Sequence, residues 1–168
     1  MDTPTTTGKP FSVPPGLRDA VAQLQMQYTH AIDNDEVERW PSFFTDNCLY
    51  RIVSRRDYDA GRPMGLWYCD SRGMLEDRVR SLRGVNVYEP QFYRHVISPT
   101  EILGEDGDGW KAQTGFIVVR TMHDGEMIVF SAGRYVDRIV FDGTTARLAS
   151  RTVVTDSWRY DTLIVIPI

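Results

Sequence analysis

The sequence predicts an α+β fold, with helices leading and a long, curved antiparallel sheet following. Three observations carry this. Helical spacing of apolar residues is confined to residues 17–82. Four strand-like runs then fill residues 93–158, separated by turns rich in glycine and aspartate. Those runs exceed the usual strand length of about five or six residues. Long strands after a helical half curve over the helices, and a cone-shaped cavity is expected between the concave face and the first helix.

Residues 1–16, MDTPTTTGKPFSVPPG, combine Pro, Thr and Gly and read as a flexible arm. They lack the basic start and apolar stretch of a secretory signal. Residues 17–168 read as one domain with an extended C-terminal tail. Leu17, Val21, Leu24, Tyr28, Ala31 and Ile32 recur at helical spacing, which predicts an amphipathic helix over residues 17–32. Asp33, Asn34 and Asp35 break it, and Asp35 is expected to cap a short second helix through Trp40, disturbed by Pro41. Asp46 and Asn47 read as a turn, residues 48–55 as a strand, and residues 56–69 as a loop. Asp70 or Ser71 is expected to cap a third helix with Met74, Leu75, Val79 and Leu82 on one stripe. The strands are then residues 93–103, 110–122, 127–141 and 147–158.

A chain of 168 residues supports one real core, burying about 68–70% of its unfolded surface. The net charge of −4 argues against a nucleic-acid or anionic-membrane binder. No apolar run approaches the roughly 20 residues that span a bilayer. Cys48 and Cys69 have no metal-ligand spacing and read as reduced thiols of a cytoplasmic protein.

Several chemistries have no motif here: no glycine-rich phosphate loop, no G-x-S-x-G elbow, no cysteine–histidine pair spaced for zinc or iron–sulfur. Of the three histidines, His123 falls in a hairpin turn and His30 off the apolar stripe of its helix. His95 remains, at the start of a strand, and Asp33 closes the first helix. In a cone both point inward, and a carboxylate that fixes the imidazole tautomer makes it a general base. Tyr28 and Tyr50 are placed to orient a carbonyl. The plainer reading makes Asp33 a helix terminator and His95 a hydrogen-bonded interior side chain.

Arg78, Arg80 and Arg83 share one side of the third helix beside Glu76 and Asp77. They either grip a partner's carboxylates or form a solvated, internally paired face. Trp67, Tyr68, Tyr88, Phe92 and Tyr93 cluster around that helix and read as interface or core aromatics. The tail TLIVIPI, residues 162–168, has no polar alternation. Its Leu163, Ile164, Val165 and Ile166 are expected to lie against a neighbouring subunit, the alternative being a tail folded back on its own core.

The stretches IDNDEVERWPSFFTDNCLYRI, DSRGMLEDRVRSLRGVNVYEPQFYRHVISP, VFSAGRYVDRIV and VVTDSWRYDTLIVIPI resemble the small (β) subunits of aromatic-ring-hydroxylating oxygenases. The resemblance runs from about Leu17 to the last residue. It is nearest to subunits for carboxylated arenes of the terephthalate dioxygenase kind, with those of salicylate hydroxylase and anthranilate dioxygenase beside them. It implies a cystatin-like cone shared with nuclear transport factor and ketosteroid isomerase. It implies no cofactor in this chain, and a Rieske [2Fe-2S] cluster with mononuclear Fe(II) in a large (α) subunit partner. It also implies self-association as a trimer of αβ pairs. The chain has no C-x-H and C-x-x-H pair to hold a Rieske centre.

The same fold houses dehydratases of the scytalone dehydratase type, and Asp33 and His95 match their aspartate and first histidine. Their second cavity histidine has no counterpart, because residues 116–121 read FIVVRT. Two functions follow: a non-catalytic structural subunit of a multicomponent dioxygenase, or a stand-alone lyase or isomerase using Asp33 and His95.

Overall fold

The computed structural model describes residues 11–63, 65–85 and 88–168. Helix α1, Leu17–Asp33, buries the expected stripe from Leu17 to Ile32. The second helix is a 3₁₀ segment, Val37–Phe43, with Pro41 inside it. Proline obstructs the α-helical turn before it, and the tighter 3₁₀ winding accommodates it over this short stretch. Asp35 is not its cap. It sits at a left-handed φ of 59°, and its carboxylate goes to Arg83 instead.

The expected turn at Asp46 and Asn47 lies within strand β1, Phe44–Ser54, as a register irregularity between Phe44 and Leu49. Arg55 does not extend that strand. Ser54 Oγ accepts from the Asp57 amide at 3.1 Å and starts a short helix α2, Arg55–Asp59, where the sequence suggested loop. Strand β2, Trp67–Cys69, follows inside the same presumed loop. Helix α3, Arg72–Gly84, is capped by Ser71, which accepts from the Met74 amide. Leu75, Val79 and Leu82 are buried on it, whereas Met74 is exposed and leaves the stripe.

The predicted strand over residues 93–103 is two strands, β3 (Gln91–Ile97) and β4 (Glu101–Asp106). Pro99 cannot donate to the ladder, so the strand breaks there. The break is stitched to strand β5, Gly109–Met122: Ser98 donates its amide to Gly115 O, and Ser98 Oγ accepts from the Gly115 amide, both at 2.9 Å. Strands β6, Met127–Asp142, and β7, Thr145–Thr155, complete the sheet.

The order is β2-β1-β7-β6-β5-β3, with β4 also on β5. Contrary to an all-antiparallel reading, β1 joins β7 in parallel. Where β6 and β7 begin to pair, a Cβ on Gly133 would stand 2.0 Å from Val154 O, so only glycine permits the close approach. The inner faces of β1, β5, β6 and β7 meet α1 in one core that includes Tyr28, Tyr50, Phe116, Tyr135 and Leu148.

The arm is described from Phe11 onward. Val13 packs against the core, and the ring of Phe11 lies 6.3 Å from that of Trp110. Residues 1–10 lie outside the described residues.

Candidate functional site

Helix α1 ends where β3 begins to pass it, and this brings Asp33 onto His95. One carboxylate oxygen of Asp33 accepts the His95 main-chain N–H at 2.9 Å, and the other meets Nδ1 at 2.6 Å. The His95 ring is 0% exposed and the Asp33 side chain 2%. A carboxylate at Nδ1 holds the proton there and leaves Nε2 as the basic nitrogen. Nε2 is buried, without a hydrogen-bond partner among the described residues. Arg94, mostly exposed, reaches the same carboxylate only at 3.8 Å. The pairing expected from sequence therefore exists, with the second ring nitrogen of His95 buried. Val118 stands opposite His95 on β5, and no second imidazole meets it there.

The Tyr28 and Tyr50 hydroxyls, expected to orient a carbonyl, meet a main-chain oxygen of the chain itself. Both hydroxyls donate to Ile168 O at 3.0 Å, and Trp40 Nε1 donates to the Tyr28 oxygen at 2.9 Å. Burial raises the pKa of both phenols, so they remain donors.

The tail is the main departure from expectation. Ile164, Ile166 and Ile168 are buried in the chain's own core, and Trp67 Nε1 donates to Ile164 O at 3.1 Å. Leu163, 83% exposed, faces outward and Thr162 is exposed beside it, while Val165 is half-buried. The tail is thus folded back, since alternate isoleucines find apolar space between β1, β2 and α1.

The other surface candidates divide. Trp67 is buried under the Arg78 guanidinium, which lies 4.8 Å from its ring centroid. Tyr93 is buried, and burial raises its phenol pKa. Tyr88 is half-buried against the core. Tyr68 and Phe92 are exposed. Arg83 is engaged within the chain, donating to Glu38 at 2.6 Å and to the Asp35 carboxylate at 2.9 Å, and Arg80 pairs with Asp77.

Sequence reasoning missed the centre of the cone. Arg151 on β7 and Asp137 on β6 are cross-strand neighbours, and both side chains are 0% exposed. Arg151 donates from Nε and Nη2 to the two Asp137 oxygens at 2.9 and 2.7 Å. Gln25 of α1 closes the ring, donating to Asp137 Oδ2 at 2.8 Å and accepting from Arg151. The guanidinium lies between Tyr28 and Tyr135, 4.1 and 4.0 Å from their centroids. Burial opposes its charge, but Asp137 outweighs that and holds the pKa above the ordinary arginine value. Strand parity was the available signal: Asp137 shares the inward face of β6 with Tyr135 and Ile139.

Among the described residues no group of three or more His, Cys, Asp or Glu side chains is placed to hold a metal ion.

Comparison with known proteins agrees with this geometry. A family model described as the ring hydroxylating beta subunit matches residues 28–159. The chain is 38% identical over 148 residues to the small subunit of anthranilate 1,2-dioxygenase from Burkholderia cepacia, covering 88% of this chain and 92% of that protein. It is also 38% identical over 148 residues to subunit beta 2 of the terephthalate 1,2-dioxygenase terminal oxygenase component from Comamonas sp, covering 88% and 96%. A crystallised β subunit assigned to an aromatic-ring-hydroxylating dioxygenase of Novosphingobium aromaticivorans superposes with a TM-score of 0.81 at 39% identity, over 90% of this chain and 96% of that one.

Proposed function

The chain belongs to the ring-hydroxylating β-subunit family, and from that premise we propose that it acts as a structural small subunit of an aromatic-ring-hydroxylating dioxygenase. The iron-containing large subunit carries the chemistry, with its Rieske [2Fe-2S] cluster and mononuclear Fe(II), and this chain holds the assembly together. The observation that carries the reading is the occupied interior of the cone. The Tyr28 and Tyr50 hydroxyls, which would face a substrate, are bonded to Ile168 of the tail. Arg151 fills the space between Tyr28 and Tyr135.

The relatives named for anthranilate and terephthalate share one substrate feature, a carboxylate on the ring, which supports a carboxylated arene as substrate. A trimer of αβ pairs in the cytoplasm completes the proposal, and no helix among the described residues is long and apolar enough to cross a membrane. The Asp33–His95 geometry supports a second reading, a stand-alone lyase or isomerase with His95 as base. Expression of the large subunit with and without this chain tests both. The first reading expects iron and turnover of terephthalate or anthranilate only when the two are purified together. Turnover of a substrate by this chain alone would favour the second.

A further inference from the structure

Two buried arginines meet their counter-charges differently. Arg151 and Asp137 are both 0% exposed. The Arg120 side chain is 3% exposed, yet that of its partner Asp161 is 54% exposed. Arg120 lies on β5 opposite Tyr93 of β3. It donates from Nη1 and Nη2 to the two Asp161 oxygens at 3.2 and 2.6 Å, and from Nη1 to Thr162 Oγ1 at 2.9 Å. A buried guanidinium needs a negative partner. Here that partner stands at the surface, on the irregular segment that follows β7.

The surroundings of Arg120 are aromatic and incompletely satisfied. Its guanidinium carbon lies 4.7 Å from the Phe130 ring centroid. The Phe130 ring is 5.3 Å from those of both Tyr93 and Tyr160, and the Tyr160 hydroxyl lies 2.9 Å from Ser131 Oγ. Arg120 Nε and the Tyr93 hydroxyl are buried without a hydrogen-bond partner among the described residues. Burial keeps the Tyr93 phenol protonated, so both groups are unmet donors. A groove of about 410 Å³ opens beside this cluster, within the range of about 300–1,000 Å³ usual for small-molecule sites. Phe130, Ser131 and Tyr160 line it, and Asp161 belongs to both, lining the groove and bonding Arg120. The other carboxylate of the groove, Asp156, is paired with Arg55 at 2.8 Å.

We infer that Arg120 is the anion-binding residue of a ligand site, and that a small aromatic carboxylate takes the place of Asp161 on it, with its ring in the groove against Phe130 and Tyr160. One carboxylate replaces another on the same guanidinium, so the buried charge stays paired. The half-exposed Asp161 side chain turns into water to make room, and the sheet is undisturbed. Asp161 is tethered, which gives it an effective concentration in roughly the millimolar range or above. A free carboxylate therefore displaces it only by gaining contacts that Asp161 lacks. A flat ring set against two aromatic rings supplies them, whereas a methyl group does not.

The experiment titrates benzoate, its neutral counterpart benzamide, and acetate calorimetrically into the full chain. The wild type is compared with Asp161→Asn and with Asp161→Asn combined with Arg120→Gln. Asparagine keeps an acceptor but gives up the charge that competes with the ligand. Benzoate is expected to bind the wild type at one site per chain and Asp161→Asn at least tenfold more tightly. In both proteins it should bind at least tenfold more tightly than benzamide or acetate, and adding Arg120→Gln should abolish binding. If the Arg120→Gln chain fails to fold, the remaining comparisons decide. If Asp161→Asn fails as well, the wild-type preference for benzoate over benzamide and acetate decides. Absence of saturable benzoate binding by the wild type overturns the inference. Equal affinity for benzamide or acetate, an Asp161→Asn affinity no higher than wild type, or benzoate binding that survives Arg120→Gln overturns it too. Each result is read on the chain without a large subunit, so such a failure leaves the subunit reading standing.

Discussion

Asp137 and Arg151 face each other across β6 and β7 and form an ion pair with no solvent exposure, 2.7 Å apart. Two water-stripped charges are tolerable here because each has several partners, with Arg151 Nη1 left without a hydrogen bond among the described residues. Gln25 bonds both, and two tyrosine rings cover the guanidinium. Removing one partner strands the other charge. Arg151→Leu is expected to cost about 3–5 kcal/mol, a fall in Tm of roughly 6–20 °C by calorimetry. Replacing both residues with apolar ones should recover much of that loss. A double variant no more stable than Arg151→Leu would contradict this account.

His95 tests the subunit reading directly. With the assembly intact, His95→Ala and Asp33→Asn should leave arene turnover within about threefold of wild type. A general base contributes about 10²–10⁴-fold. A loss of that size in a complex of unchanged mass would make the dyad catalytic. Some stability should be lost in either case, because the Asp33 carboxylate meets both the His95 ring and its main-chain N–H.

The tail is expected to stabilise the monomer rather than an interface. Deleting residues 163–168 removes the buried Ile164, Ile166 and Ile168 and strips two tyrosine hydroxyls of their acceptor. Burial of each such side chain contributes about 1.5–3 kcal/mol. The truncated chain should therefore lose near-ultraviolet circular dichroism and unfold cooperatively only at much lower temperature, if at all. Leu163→Ser, on the outward side, should change stability by less than about 0.5 kcal/mol. A truncation that keeps the wild-type Tm would show that the folded-back tail contributes nothing.

Stability should fall at alkaline pH. Burial pushes the Cys48 thiol from 9.0 to about 11, against the pull of Arg72, and burial likewise raises Tyr28, Tyr50 and Tyr135. The folded chain holds these protons more tightly than the unfolded one. Their contribution is thus complete below about pH 9 and is lost as pH rises through about 11. The urea midpoint should be flat from about pH 7 to 9 and lower at pH 11. A midpoint that rises over that interval would refute the assignment.

The isolated chain should bind neither iron nor zinc stoichiometrically, as judged by metal analysis after gel filtration. One tightly held metal per chain would overturn the structural-subunit reading.

Local pattern in the sequence determined the α+β order, the α1 stripe, the α3 cap region and the hairpin turns, because each depends on neighbours within a few residues. It also placed Asp33 and His95 at the ends of elements that could meet, and recognisable stretches along the chain disclosed the family. Tertiary structure alone decided the rest. Whether β1 pairs in parallel with β7 depends on which strand lies beside it, and strand pattern does not encode that. Whether TLIVIPI covers a partner or its own core depends on where apolar space remains after the sheet has curved, and that space lies against Trp67, Tyr28 and Tyr50. Asp137 and Arg151, 14 residues apart in sequence, look like ordinary surface charges on strands. Only the register of β6 against β7 and the position of Gln25 on α1 make them one buried network. A charge can be buried only where its counter-charge and hydrogen-bond partners are already in place, and that condition is met in three dimensions.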